Sequence, residues 1–175
     1  MPPLVVLAYP TLSPEDLAWI QSFRAQHDEL YFKLVDPHFT FVFPQSSVGE
    51  ADLLAHVRDK ARAVPVITLT IRCAVVVDDA TSPYWHVFLV PDEGFSDIVK
   101  LHDRLYEGIL AHELRLDIPF IPHIGISTSR DSNVCKALAD EVNAAALSIA
   151  GSIERLDIAA LEPDRVKTIE SIELA

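Results

Sequence analysis

Two short stretches carry the side chains best suited to chemistry. "PHFTF" (37–41) alternates His38 and Thr40 with Phe39 and Phe41, and "PHIGIS" (122–127) alternates His123, Gly125 and Ser127 with Ile124 and Ile126. Residues two apart in a strand share a face. Each stretch therefore has an apolar face that anchors it in a core and a polar face, headed by histidine, that is free for a ligand. Two imidazoles flanking one phosphate suit phosphodiester cleavage without a metal. The neutral ring takes a proton from the attacking hydroxyl or water, and the protonated ring gives one to the leaving oxygen. An ordinary imidazole pKa of about 6.5 supplies both forms near neutrality, and each positioned acid or base typically contributes about 10²–10⁴-fold. The Thr40 hydroxyl is placed to donate to a non-bridging phosphate oxygen. Gly125 offers no such hydroxyl, and Ser127, expected on the same face, and Thr128 are the candidates to supply one from further along.

Other residues are secondary candidates for contact with a ligand. His86 lies on the strand-like "YWHVFLV", with Tyr84 on the same parity and Trp85 on the other. Tyr84 is a candidate to stack on a base, whereas Trp85 reads as core. Arg130, in the loop after the second histidine stretch, is a candidate charged donor to phosphate. The plainer readings are a half-exposed strand histidine, a strand-end serine and a surface arginine. His56, His102 and His112 fall on predicted helices among charges and read as surface.

The elements that must hold these residues follow from periodicity. Val5–Tyr9 reads as a strand. A helix starts at Ser13, a capping residue followed by Pro14 and two acids, with Leu17, Ile20 and Phe23 at helical spacing. Further helices are expected over 50–63, 95–112 (buried stripe Ile98, Leu101, Leu105 and Ile109) and 131–150, the last stopped by Gly151. Strands are expected over 38–43, 64–79, 84–91 and 122–127, and two more close the chain. The order repeats: strand, helix, Pro-His strand, helix, strand. A proline tolerates the start of a strand because no ladder donor is needed there. The repeat predicts two similar lobes about a pseudo-twofold axis, with His38 facing His123.

Composition sets the outer limits. The 175 residues are 50% hydrophobic and 23% charged, enough for one packed domain and unlike a disordered chain. The net charge of −12 disfavours binding to a long duplex, which needs a basic surface. A nucleic-acid substrate is therefore expected to be a nucleotide or a short RNA end. No apolar run is long enough to span a membrane. The two cysteines, Cys73 and Cys135, suggest no disulfide framework, and a cytoplasmic setting is expected. No zinc-protease pair, C-x-x-C, phosphate-binding glycine loop or G-x-S-x-G elbow occurs, so no metal and no cofactor are expected.

With these residues in place, the chain resembles the 2H phosphoesterase superfamily and, within it, the 2′-5′ RNA ligase-like (LigT-like) proteins. "PHFTFVFP" (37–44) matches the first H-x-[ST]-apolar motif fully. "IPFIPHIGIS" (118–127) matches the setting of the second but has Gly125 where Ser or Thr is expected. "WHVFLVPDEG" (85–94) resembles the strand and turn before that second motif. The resemblance implies an α+β, bilobal duplicated fold: two antiparallel sheets, helices packed outside, and a central cleft with one histidine motif per lobe, all within residues 1–175 as a single domain. It implies a phosphodiesterase acting on 2′,3′-cyclic phosphates or 2′-5′ linkages, with His38 and His123 as the catalytic pair and Thr40 as a phosphate ligand. A monomer is expected. The competing reading is a nucleotide- or RNA-end-binding module of little turnover, motivated by Gly125 and the acidic surface.

Overall fold

The computed structural model describes residues 2–175. Its elements are β1 (Leu4–Ala8), β2 (Thr11–Leu12), α1 (Pro14–His27), β3 (Phe39–Gln45), α2 (Glu50–Ala61), β4 (Ile67–Asp78), β5 (Trp85–Glu93), α3 (Phe95–Leu105), a 3₁₀ turn (Gly108–Glu113), β6 (Ile124–Ser129), α4 (Ser132–Ala144), β7 (Ile149–Ile153), β8 (Arg155–Glu162) and β9 (Arg165–Glu173). The fold is α+β with two antiparallel sheets, as expected. One has the order β3-β1-β8-β9, and the other β2-β7-β4-β5-β6. Helices α2 and α3 pack on the first sheet and α1 and α4 on the second, and α3 also touches β4 and β5. The sheets are not the two halves of the chain: β8 and β9 return to the first sheet, and β2 pairs with β7 in the second. Both histidine motifs lead into edge strands, β3 and β6, one in each sheet.

Local sequence explains most boundaries. Ser13 caps α1, its hydroxyl accepting from the Asp16 amide at 3.1 Å. Asp131 caps α4 by accepting from the Asn133 amide. Helix α2 buries Leu53, Val57 and Ala61. Helix α3 buries Ile98, Leu101 and Leu105 but stops there, because Gly108 takes a left-handed φ of 59°. Ile109 is thereby removed from the expected stripe and is exposed. Leu17 is likewise exposed on α1, which buries Ile20 and Arg24 instead.

The helix expected over 131–150 is shorter than its sequence suggested. Ala146 turns left-handed at φ 53°, and Ile149–Ile153 becomes a strand whose two isoleucines are buried. Gly151 is not a helix stop. It sits where β2 crosses β7, paired with Leu12, and a Cβ there would lie 2.6 Å from the Thr11 carbonyl oxygen and 2.5 Å from a Leu12 methyl. Overpacking against backbone costs about 1–3 kcal/mol. Gly151→Ala is expected to destabilise by that order in urea unfolding, and a loss under about 0.5 kcal/mol, the ordinary surface value, would contradict this role for the glycine.

Candidate functional site

The two histidines stand just before their strands rather than inside them. Asp36 and Ile121 each precede a proline, which restricts them to extended backbone, and Pro37 and Pro122 then fix the next φ. This local geometry brings the carbonyl two residues back onto each ring: His38 Nδ1 lies 2.7 Å from the Asp36 oxygen and His123 Nδ1 2.6 Å from the Ile121 oxygen. A carbonyl only accepts, so Nδ1 carries the proton in both rings and Nε2 holds the free lone pair.

A second feature recurs after each motif. On β3, Leu7 pairs with Thr40 and Val6 with Val42, so Phe41 is an extra, bulged residue. On β6, Phe88 pairs with Gly125 and Val87 with Ser127, so Ile126 is bulged. A bulge lets an extra residue pass without inverting the rest of the strand relative to its partner. Both bulged residues are fully buried. On β3 the disturbed backbone is satisfied by α3: His102 Nδ1 donates to the Phe41 carbonyl at 2.9 Å, and the Phe43 amide donates to the Tyr106 hydroxyl at 3.0 Å.

The bulge corrects one expectation. Simple alternation puts Ser127 on the face of His123 and Gly125. The extra residue turns Ser127 inward instead, opposite the buried Val87, and leaves its hydroxyl buried and without a partner. Thr128 takes the outer face opposite His86, but its hydroxyl, 3.4 Å from Asp28 Oδ1, is buried. Thr40 keeps the expected face of the first sheet, opposite Leu7 and half-buried. Gly125 shares the face of Phe88, and a Cβ on it would meet nothing within 4 Å.

An aromatic column continues from the second histidine. Phe88 stacks on His123 with centroids 3.5 Å apart and planes 10° apart. His86 stacks on Phe88 at 5.4 Å, and Tyr31 on His86 at 6.4 Å. His86 Nε2 donates to Asp79 Oδ2 at 3.2 Å, so its tautomer is the reverse of the other two and its Nε2 is occupied. Against the opposing effect of burial, hydrogen bonds from Ser82, Thr81 and His86 hold the Asp79 carboxyl well below the usual range. Tyr84 and Arg130 engage each other, the guanidinium 5.2 Å from the ring centroid. On the other side Tyr9 meets His38 edge-on at 6.2 Å. Burial, with Asp157 and Asp36 nearby, pushes the Tyr9 phenol up to about 12.

Sequence reading missed the group that braces the site. Arg24 is buried on α1 and donates to Asp28 through Nε and Nη2 at 3.2 Å. Nη2 also donates to the Val35 carbonyl at 2.8 Å. Gln21, bonded to Arg24, reaches Asp36 at 2.9 Å. Asp28 in turn accepts from the Tyr31 amide. These contacts pin the 28–36 loop, which carries Tyr31 and the carbonyl that holds His38. The i,i+4 spacing of Arg24 and Asp28 is visible in sequence; their burial is not. His102 is a second correction: it is buried, stacked on Phe120 at 3.6 Å, and supports β3 from behind. His56 is half-buried, its Nε2 donating to the Leu105 carbonyl, while His112 is exposed as expected. Among the described residues, no three His, Cys, Asp or Glu side chains are grouped to hold a metal ion, and no helix is long and apolar enough to cross a membrane.

Burial is the main force on both rings. It lowers the His38 pKa, aided by the Arg24 charge and opposed by the Asp36 carbonyl. It pushes His123 down to about 4, with smaller contributions from the nearby His38 and His86 charges. A charge on His38 thus disfavours a charge on His123. Between pH about 6.5 and 4 the unfolded chain binds a proton at residue 123 that the native state declines, so native stability falls as pH falls through that window. Urea midpoints at pH 7 and 4.5 are expected to drop less in His123→Gln than in the wild type; an equal drop would contradict the depressed pKa.

Comparison with known proteins adds family and fold. The model of the 2′-5′ RNA ligase superfamily matches residues 12–165. A Bacillus licheniformis protein named as a candidate phosphoesterase is 25% identical over 125 residues, which span 70% of this chain and 68% of that protein. Among solved structures, Escherichia coli LigT in its apo form superposes with a TM-score of 0.61 at 16% identity, covering 99% of this chain and 98% of its own. LigT complexed with 3′-AMP gives 0.57 at 14% identity, with the same coverage.

Proposed function

The chain belongs to the 2′-5′ RNA ligase superfamily, and from that premise we propose that it is a metal-independent phosphodiesterase acting on 2′,3′-cyclic phosphates or 2′-5′ phosphodiesters of nucleotides or RNA ends, with His38 and His123 as its acid–base pair. Family and fold indicate phosphoesterase-type activity of the 2H kind on nucleotides or RNA. The observation that carries the finer reading is the matched pair of rings, each with Nδ1 on the carbonyl two residues back and Nε2 free. A general acid or base must present one nitrogen in a fixed direction, and this arrangement does so twice.

For a cyclic phosphate, water attacks phosphorus. One Nε2 takes the water proton, the P–O bond to one ribose oxygen breaks, and the other ring's Nε2–H protonates that oxygen, leaving a phosphomonoester and one hydroxyl. For a 2′-5′ diester, the neighbouring 3′-hydroxyl attacks instead and the 5′-oxygen leaves with the proton. The Thr40 hydroxyl donates to a non-bridging oxygen as charge shifts. Burial disfavours the charged form of both rings. The negative phosphodiester favours the charged imidazole, so substrate itself supplies the condition under which one ring holds the acid proton. The nucleotide in the LigT complex supports a nucleotide as ligand, and the net charge of −12 supports a short end over a duplex.

A second reading rests on Gly125 and on the burial that disfavours charging either ring: a module that binds a phosphorylated end and turns nothing over. Hydrolysis of 2′,3′-cyclic nucleotides and 2′-5′ dinucleotides in EDTA separates the two. His38→Ala and His123→Ala are each expected to lose at least about 10²-fold in kcat, and Thr40→Ala about 10-fold or more, the value of a hydrogen bond to a charged group. Full activity in either histidine variant would overturn the assignment; saturable binding without product would establish the module.

A further inference from the structure

Gly125 has no structural reason to be glycine. Its φ is not in the left-handed region, which among the described glycines is confined to Gly94 and Gly108. A Cβ there meets no atom within 4 Å, so no neighbour excludes a side chain. Glycine inside a strand lowers stability through its backbone entropy and often marks close approach of a ligand. The space it leaves lies opposite Phe88 on the outer face of the second sheet, beside His123. The rings beyond it stack on one another, Phe88 between His123 and His86 and His86 towards the exposed Tyr31, and so turn their edges outward. Phe88, paired with Gly125, is the side chain beside this space, and an apolar neighbour suits an uncharged nucleoside better than a second phosphate.

We propose that the Gly125 gap seats the second nucleoside of a linear phosphodiester, so that Gly125 sets a preference for a diester joining two nucleosides over a cyclic mononucleotide. This deepens the reading of His38 and His123 as the acid–base pair and rests on it. A cyclic phosphate brings one nucleoside and leaves the gap unfilled. A linear diester fills it and gains the contact in the transition state as well as in the ground state. A threonine at this position would occupy the gap and return a hydroxyl to the phosphate; a valine of the same shape would occupy it and return nothing.

The test compares kcat/KM for 2′-5′-linked adenylyl-adenosine and 2′,3′-cyclic AMP in the wild type, Gly125→Val and Gly125→Thr, with His38→Ala as control. The wild type is expected to favour the dinucleotide. Each substitution is expected to cut the dinucleotide-to-cyclic ratio at least about tenfold, the scale on which a filled pocket discriminates, and Gly125→Thr is expected to exceed Gly125→Val on the cyclic substrate. A ratio in Gly125→Val within about twofold of the wild type, well under that scale, or a wild type that favours the cyclic substrate, would overturn the specificity role while leaving the histidine pair standing. Turnover retained in His38→Ala, or a wild type inert towards both substrates, would overturn the reading beneath it.

Discussion

The arrangement depends on one short-range constraint: an X-Pro-His turn that holds imidazole Nδ1 against the carbonyl two residues back. Its main restrictions are local. Proline fixes its own φ and forces the preceding residue to be extended, and the carbonyl arrives at 2.6–2.7 Å in both motifs. What tertiary structure adds is placement. Each turn leads into an edge strand of a different sheet, and each strand bulges after the same motif position, at Phe41 and Ile126. A bulge bends its strand and raises the local twist. The bulges therefore belong to the same device as the turns, and both recur with each histidine motif.

The second requirement is a brace for the long 28–36 loop, which would otherwise leave the Asp36 carbonyl free to wander. Arg24 does this from inside α1, spending its donors on Asp28, Val35 and Gln21. A buried ion pair adds little net stability against an apolar replacement, but removing one partner costs about 3–5 kcal/mol. Such a pair fixes geometry more than it raises stability. Its charge also disfavours protonation of His38, so the residue that positions the loop biases the ring in the same direction as burial. Both influences favour the neutral imidazole at His38, and a phosphate anion would favour the charged one.

Much of this was legible in the sequence because it is local. The Pro-His pairs, the alternation of His38 and Thr40 with two phenylalanines, the Ser13 cap and the apolar stripes of α2 and α3 all act within a few residues. What was not legible depends on partners distant in the chain. A bulge at Ile126 cannot be seen without β5, and it is what turns Ser127 inward. Gly151 looked like a helix stop because its real reason, the close crossing of Thr11, lies far away in sequence. His102 sits among charges on its helix and read as surface, yet it is buried against the Phe41 carbonyl; the burial of Arg24 against the Val35 carbonyl likewise has no local signal. Phe88 shares the parity of His86, and that parity was the available clue to the aromatic column.

The proposed chemistry requires both rings to be fixed as Nδ1–H tautomers with Nε2 presented to one shared anion. The most direct test is a ¹⁵N-histidine NMR spectrum of the protein at pH 7, recorded alone and with 3′-AMP as the anionic probe. His38 and His123 are both expected to show the Nδ1–H pattern, in contrast to the Nε2–H pattern of His86, and the Nε2 resonances of both to shift together as the probe is added. An Nε2–H tautomer at either ring, or a response confined to one of them, would contradict the proposed chemistry.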